Sequence, residues 1–413
     1  MHDNQPNMRL QVACAPLGTI ACAFDIQAFH CTCPVLPDHK PWLVVCIDNR
    51  CWIDHDNPFG TRSASSNSGQ SGNAIVDIWD AEDTDITFKY EDDMSQFQFS
   101  SAYGPFINGL FHYCHDRDSS MALIAPLNVP WHPTKTSDRF ILVFIFIGFL
   151  WDLFQKQVSL PVHKRLKFLH HVTTFLSKAD SHTQVSLLEA QQIHGSLVHI
   201  CFIYLNGSSR LPAILNFMSS FKANEFARHF IPNSLISSLN WWYSRLSDPL
   251  AFWQLHPLAE LWDLGIFVDA STSWGIGIII QGRWYAFWLV EGWKIPGHDI
   301  CWLEAIALEL LVYFLIQLHF YDTHLCTFSD NDSAIGAHSK GHSRNSEINL
   351  CVLRTYAASA AHLISLTFKY IESSLNPADP ISCRIMSLPK HKHLSHAFDL
   401  PNDLCGLLLD HYG

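Results

Sequence analysis

The chain has 413 residues, 48% hydrophobic and 13% aromatic, with a formal net charge of −12. That length and apolar content exclude a disordered chain and leave room for two or three domains, each with its own core. The acidic balance, without a long basic run, argues against strong non-specific attraction to nucleic acid, which rests on Lys and Arg meeting phosphates.

Residues 1–158 alternate short apolar runs with turn signals such as "DNPFGTRSASSNSGQSGN" and read as mixed α and β. The opening "MHDNQPNMRL" is polar and is not a secretory signal. The thirteen Cys are odd in number, and Cys201, Cys301 and Cys326 lie inside apolar runs, so reduced thiols in an intracellular protein are expected. Cys31 and Cys33 beside His30 have no second pair at zinc spacing and read as packing residues.

"ITFKYEDDMSQFQF" (86–99) reads as strand, turn and strand, with Glu91, Asp92 and Asp93 side by side. Such a triplet is either a soluble hairpin tip or a pair of Asp side chains aimed at divalent metal ions. "FILVFIFIGFLWDLF" (140–154) is too short for a comfortable membrane span, and its β-branched and aromatic content suits a buried strand entering a turn. No membrane partner is expected.

Residues 159–258 carry apolar residues at three- and four-residue spacing, in "VSLLEAQQIHGSLVHICFIYL" and "RLPAILNFMSSFKANEFARHF", and read as mainly helical. Residues 259–385 return to strands followed by helices. "LGIFVDASTSWGIGIIIQGRWYAFWLV" (264–290) reads as three antiparallel strands with turns at 273–274 and 281–282, and Asp269 is the acidic residue on the first. "DICWLEAIALELLVYFLIQL" reads as a helix with Glu304 near its start, and "HLCTFSDNDSAIGA" as a strand ending at Asp330, then a helix. "ISLTFKYIESSLNPADPIS" reads as a strand turning into a helix that carries Asp379. Residues 386–413 are polar and Pro-punctuated before a short apolar helix, with His391, His393 and His396 on an exposed tail. No internal repeat is present.

Four carboxylates from separate elements, converging at one sheet edge, can hold two Mg²⁺ ions (or Mn²⁺) that stabilise the attacking and leaving oxygens of phosphodiester cleavage. Four unrelated surface acids are the alternative. The segments "FVDAS", "GIGI", "LEAIALELL", "FSDNDSAIGA" and "NPADPIS" resemble the ribonuclease H domain of retroelement polyproteins. By that resemblance Asp269, Glu304, Asp330 and Asp379 are the metal-binding and catalytic positions, on a mixed five-stranded sheet with helices. The loop "ESSLNPA" holds Asn376 where many such domains carry a mobile His.

Beside that domain, "KYEDD" resembles the Tyr-x-Asp-Asp hairpin of reverse transcriptases, with Tyr90, Asp92 and Asp93 in the matching places. "FDIQAF" is similar to the first palm motif. Asp25 would join Asp92 and Asp93 at a second two-metal site, and Phe29 would screen the 2′ position of an incoming nucleotide. "DNPFG" matches the segment under the template base, where Gly60 lets the backbone approach. Lys135 matches a Lys that protonates the leaving pyrophosphate, and "FIGFLWD" matches the primer-grip hairpin.

The resemblance covers roughly residues 20–385. It implies an α/β (α+β) protein: a palm-type sheet with helices (1–158), a helical thumb or connection (159–258), the ribonuclease H-like domain (259–385) and a tail (386–413). The sequence style is similar to fungal retrotransposons. Three departures stand out: few residues precede Asp25, so fingers are expected to be missing; Asp25 is three residues before Ala28 rather than four; and Cys31, Asp48 and Asp56 stand where neutral or phosphate-facing residues are expected. The expected activity is therefore hydrolysis of RNA in an RNA–DNA hybrid, with RNA-directed polymerisation on a primer-template impaired. An inactive relic, a domesticated nucleic-acid- or protein-binding protein and an unrelated two-metal nuclease are the alternatives.

Overall fold

The computed structural model describes residues 4–57, 64–100, 111–204, 206–222, 224, 226–385, 392–394 and 398–410. The chain divides into two units, residues 1–164 with 250–257, and residues 165–249 with 258–413. Helix and sheet alternate in both, the α/β class that the sequence implies.

The first unit opens with α1 (Asn4–Cys14) and β1 (Ile20–Asp25), followed by the hairpin β2 (Val44–Ile47) and β3 (Arg50–Ile53). Helix α2 (Ala64–Ala81) leads to β4 (Thr87–Tyr90) and β5 (Asp93–Gln98), then α3 (Arg117–Ile124). Strands pair in the order β1-β5-β4, all antiparallel. Cys22, Phe24 and Met94 from this sheet pack on Ile75 and Trp79 of α2 and Ile124 of α3. The Trp79 Nε1–H donates to the Ser120 carbonyl at 2.8 Å, so this buried indole is paired.

The apolar run at 140–154 forms a strand that enters a turn, as read, and a second strand that completes a hairpin at "FIGFLWD". β6 (Val143–Phe146) and β7 (Phe149–Asp152) meet at Ile147 and Gly148, both left-handed (φ 44° and 80°), as a two-residue hairpin turn requires. Alternate side chains Phe144, Phe146, Phe149 and Trp151 are buried, which accounts for the run. Strand β8 (Gln157–Ser159) continues this sheet and pairs with Phe252–Gln254.

The helical stretch comprises α4 (Val162–Asp180), α5 (Leu187–Ile200), α6 (Leu211–Ser220) and α7 (Asn233–Ser247). A capping box between Ser186 and Glu189 starts α5. The helix expected across 210–230 stops at Ser220. Lys222 is left-handed (φ 49°), and the chain then pairs Arg228–His229 with Val185–Ser186.

In the rest of the second unit, β9 (Leu261–Ala270), β10 (Gly275–Ile280) and β11 (Arg283–Leu289) form an antiparallel meander. Helix α8 (Ile300–Gln317), β12 (Thr323–Ser329), α9 (Asp332–Lys340), α10 (Ser346–His362), β13 (Ile364–Tyr370) and α11 (Asp379–Ser382) follow. Strand order is β13-β12-β9-β10-β11, with β12 parallel to both β9 and β13. Parallel neighbours need long crossovers, which α8 and α10 supply.

Two departures from expectation lie at the C-terminus. The segment read as a tail adds Lys392–His393 and Leu408–Asp410 to β11, giving seven strands. The expected short apolar helix is the second of these strands, and Leu404 and Leu408 are fully buried. His393 packs edge-on against Trp284, with ring centroids 4.8 Å apart; His391 and His396 lie outside the described residues.

Helix α8 is buried at every position from Trp302 to Val312. It is long and apolar enough to cross a membrane by composition, but 72% of it is enclosed by this unit's core. A helix apolar all round is what a central core position demands.

Candidate metal centres

Asp269 is the next-to-last residue of β9, and Asp330 directly follows β12. Because β9 and β12 are parallel neighbours, their carboxyl ends lie side by side, where α/β sheets commonly bind ligands. Helix α8 enters the same edge. Its N-cap Asp299 accepts the Trp302 N–H at 2.9 Å, and one further residue pair along stands Glu304. One carboxylate oxygen each from Asp269, Glu304 and Asp330 lie within 4.8 Å of one another.

Asp269 and Glu304 are each 3% exposed, and Asp330 is half-buried. Glu304 accepts the Ala270 N–H at 3.2 Å on Oε1, while its buried Oε2 has no partner among the described residues. The Asn376 amide donates to Asp269 Oδ1 at 3.3 Å, and the Ser382 hydroxyl donates to Oδ2. Among the described residues none of the three carboxylates forms an ion pair.

Burial, then the neighbouring charges of Asp330 and Asp379, push the Asp269 carboxyl up to about 7, against the Ser382 hydrogen bond that lowers it. Burial first, then Asp269 and Asp330, raise Glu304 well above its usual range. Three carboxylates crowded without a cation, one with an orphaned buried oxygen, are costly unless a positive ion joins them. The all-oxygen set suits a hard divalent cation such as Mg²⁺ or Mn²⁺. Asp379, the first residue of α11, is close enough for its charge to act on Asp269 but stands outside the three-oxygen set.

Helix α11 is held against the sheet by Gly277, the β10 residue paired with Asp269. A Cβ there would sit 2.8 Å from the Ala378 carbonyl and 2.9 Å from the Ser382 nitrogen. Ser382, three residues beyond Asp379 in "NPADPIS", is a partner of Asp269 that no local motif signals. Asn376, which stands where many ribonuclease H-like domains carry a mobile His, is in the fold a buried anchor for Asp269.

The first unit gathers a second acidic group. Asp25 ends β1 directly opposite Asp93, the first residue of β5, and Tyr90 is opposite Asp93 on its other side. Asp92 lies in the two-residue turn, where Glu91 is left-handed (φ 53°), and its carbonyl accepts the Ile26 N–H at 3.1 Å. Lys135 Nζ meets Asp25 Oδ2 at 2.9 Å, with Asp25 almost buried and Lys135 mostly exposed. Burial first, then Asp92 and Asp25, push Asp93 up to about 7; burial also raises Asp92, and the Asp25 hydrogen bond raises Lys135.

A cleft of about 270 Å³ opens here, lined among others by Asp25, Phe29, Asp92, His132 and Lys135. Phe29 is otherwise buried in the core, Tyr90 is exposed, and Gly60 lies outside the described residues. His132, which sequence reasoning missed, stands in "HPTK" three residues before Lys135. Asp25, Asp92 and Asp93 do not reach single-ion spacing together; among the described residues that spacing is met by Asp269, Glu304 and Asp330. Lys135 already engages one of the Asp25 oxygens.

No protein-family model matches the sequence, and no curated protein matches it. Among solved structures, three of the foamy viral protease-reverse transcriptase are similar. The form described as dRH, in complex with double-stranded DNA, has a TM-score of 0.38 at 13% identity over 87% of this chain and 58% of that chain. A second, with double-stranded DNA, has 0.38 at 13% over 88% and 70%, and one with an RNA/DNA hybrid has 0.31 at 10% over 91% and 68%. The chain thus spans under two thirds of the first of these.

Proposed function

We propose that the second unit is a divalent-metal phosphodiesterase of the ribonuclease H type, acting on the RNA strand of an RNA–DNA hybrid. The observation that carries this reading is the convergence of Asp269, Glu304 and Asp330 within 4.8 Å, with the Glu304 Oε2 buried and unpaired. Asp269, Glu304 and Asp330 would hold Mg²⁺ or Mn²⁺, with Asp379 completing a second position beside them. When bound, the metal supplies charge stabilisation to the attacking and leaving oxygens of a phosphodiester. Asn376 and Ser382 fix the Asp269 carboxylate through both oxygens, and Ala270 N–H fixes one oxygen of Glu304.

In the first unit, which would be the remnant of a palm, Asp25, Asp92 and Asp93 would be its carboxylates, Phe29 and Tyr90 would face the nucleotide, and Lys135 would serve the leaving group; Gly60, expected under the template base, lies outside the described residues. The Lys135–Asp25 ion pair favours weak or absent polymerisation there. That ion pair, with the net charge of −12, also favours a second reading: a protein that retains both folds for binding and has lost catalysis.

The test is a labelled RNA–DNA hybrid incubated with the purified chain and Mg²⁺ or Mn²⁺, beside Asp330→Asn. Cleavage that the substitution abolishes supports the nuclease. Intact hybrid, with folded protein that binds Mn²⁺ by electron paramagnetic resonance, supports the binding reading; failure to bind Mn²⁺ overturns the metal centre itself.

A further inference from the structure

The hairpin β2–β3 presents two cysteines to each other across its strands. Cys46 and Cys51 are direct partners in the register, and both thiols are exposed. Asp48 and Asn49 form the turn, both left-handed (φ 52° and 59°), which is the two-residue type I′ connection. Such a turn makes Ile47 and Arg50, the pair that flanks it, hydrogen-bonded. The next pair outward, Cys46 with Cys51, is then the closely spaced, non-hydrogen-bonded kind. That spacing falls inside the Cα range a disulfide requires. The two sulfurs already stand 2.7 Å apart, closer than two unbonded sulfurs rest comfortably.

The surroundings make a link consequential. Every residue of both strands is exposed, including Val45, Ile47, Trp52 and Ile53, so little packing holds the hairpin together. An isolated two-stranded hairpin is marginally stable in water. A covalent tie at its second pair restricts the opened state.

We propose that Cys46 and Cys51 form a reversible, redox-sensitive cross-strand disulfide that locks this hairpin, with a glutathione-type disulfide as the oxidising partner. One cysteine thiolate attacks a sulfur of oxidised glutathione and displaces a glutathione thiolate. The other cysteine thiolate then attacks the protein-bound sulfur and displaces the second. Two protein thiols are oxidised, one disulfide is reduced to two glutathione molecules, and each released thiolate takes up a proton that a cysteine gave up.

The sequence offers a direct test. A protease that cuts before Asp separates residues 38–47 from residues 48–53, and each peptide holds one cysteine. The full chain is equilibrated with oxidised glutathione, its remaining thiols are alkylated, and the digest is read by mass spectrometry. The expected result is recovery of the two peptides as one linked species that dithiothreitol separates, with neither Cys46 nor Cys51 alkylated. In Cys46→Ser the same treatment leaves Cys51 alkylatable or bound to glutathione. Recovery of both wild-type peptides separately alkylated, or of Cys51 linked to Cys31 or Cys33, overturns the proposal.

Discussion

The Asn376 side-chain amide donates to the Val268 carbonyl at 3.0 Å and to Asp269 Oδ1 at 3.3 Å, so one buried group ties the α11 loop to the strand that presents the carboxylate. Its own oxygen accepts the Ala378 N–H at 3.1 Å. Removing it leaves a buried carbonyl and a buried N–H unpaired. Asn376→Ala should therefore cost about 1–3 kcal/mol in urea unfolding. Asn376→Asp should be worse without metal, because it sets another negative charge beside Asp269, and Mg²⁺ should recover part of that loss.

Gly277→Ala tests the seat of α11. The added methyl would meet the Ala378 carbonyl at 2.8 Å and the Ile381 Cβ at 2.9 Å, neither of which is the end of a flexible side chain. Overpacking of this kind costs about 1–3 kcal/mol. Hybrid cleavage should fall on the order of 100-fold, as small displacements of positioned groups do, while far-ultraviolet circular dichroism stays native. Full activity in a folded variant would refute the requirement for close α11 packing.

The metal-free protein should lose stability as pH rises from about 4 to about 7. Asp269 has an ordinary value of 3.8 and is pushed up to about 7 in the fold, as is Asp93 in the first unit. Between those values the folded chain binds more protons than the unfolded chain, so raising the pH favours unfolding. Calorimetric melting temperatures should fall across that window without divalent metal, and millimolar Mg²⁺ should flatten the fall. Glu304→Gln should raise the metal-free melting temperature at pH 8, since it removes a carboxylate that burial penalises, and should diminish the Mg²⁺ response.

Glu309, five residues further along α8, should respond in the opposite direction. It is fully buried and receives a two-pronged hydrogen bond from Arg354, Nε at 2.5 Å and the second nitrogen at 2.8 Å. Glu309→Ala leaves the Arg354 charge half-enclosed and should cost about 3–5 kcal/mol by chemical denaturation. Glu309→Met with Arg354→Leu should cost less than the single change, because both charges leave together.

Lys135→Met removes the counter-ion of Asp25. The pair is half open to water, so a loss of about 1–2 kcal/mol is expected. Mn²⁺ bound in the first unit, read by electron paramagnetic resonance in an Asp330→Asn background, should rise when the lysine no longer holds that oxygen.

Local pattern carried much of this into view. The alternation in 264–290 and the turn at 281–282, where Gln281 and Gly282 are both left-handed, placed Asp269 on its strand. The unbroken apolar helix placed Glu304, and the strand before "SDND" placed Asp330. What stayed hidden depends on contacts distant in sequence. Ser382 reaches Asp269 across 113 positions, and Lys135 reaches Asp25 across 110. The C-terminal strands pair with β11 from more than a hundred residues away, and Leu408 in isolation fits a helix as well as a strand.

The burial of α8 from Trp302 to Val312 has a consequence for how the protein tolerates inheritance of change. Selection for folding alone would hold nearly every position of that helix, so substitution frequency would form an unbroken stripe without the usual helical rhythm. Against that stripe Glu304 and Glu309 would be marked by chemical kind, since two acids persist where a leucine would fill the space. A lineage abandoning catalysis while keeping the fold should exchange Glu304 for an apolar residue early and retain Glu309 as long as Arg354 remains.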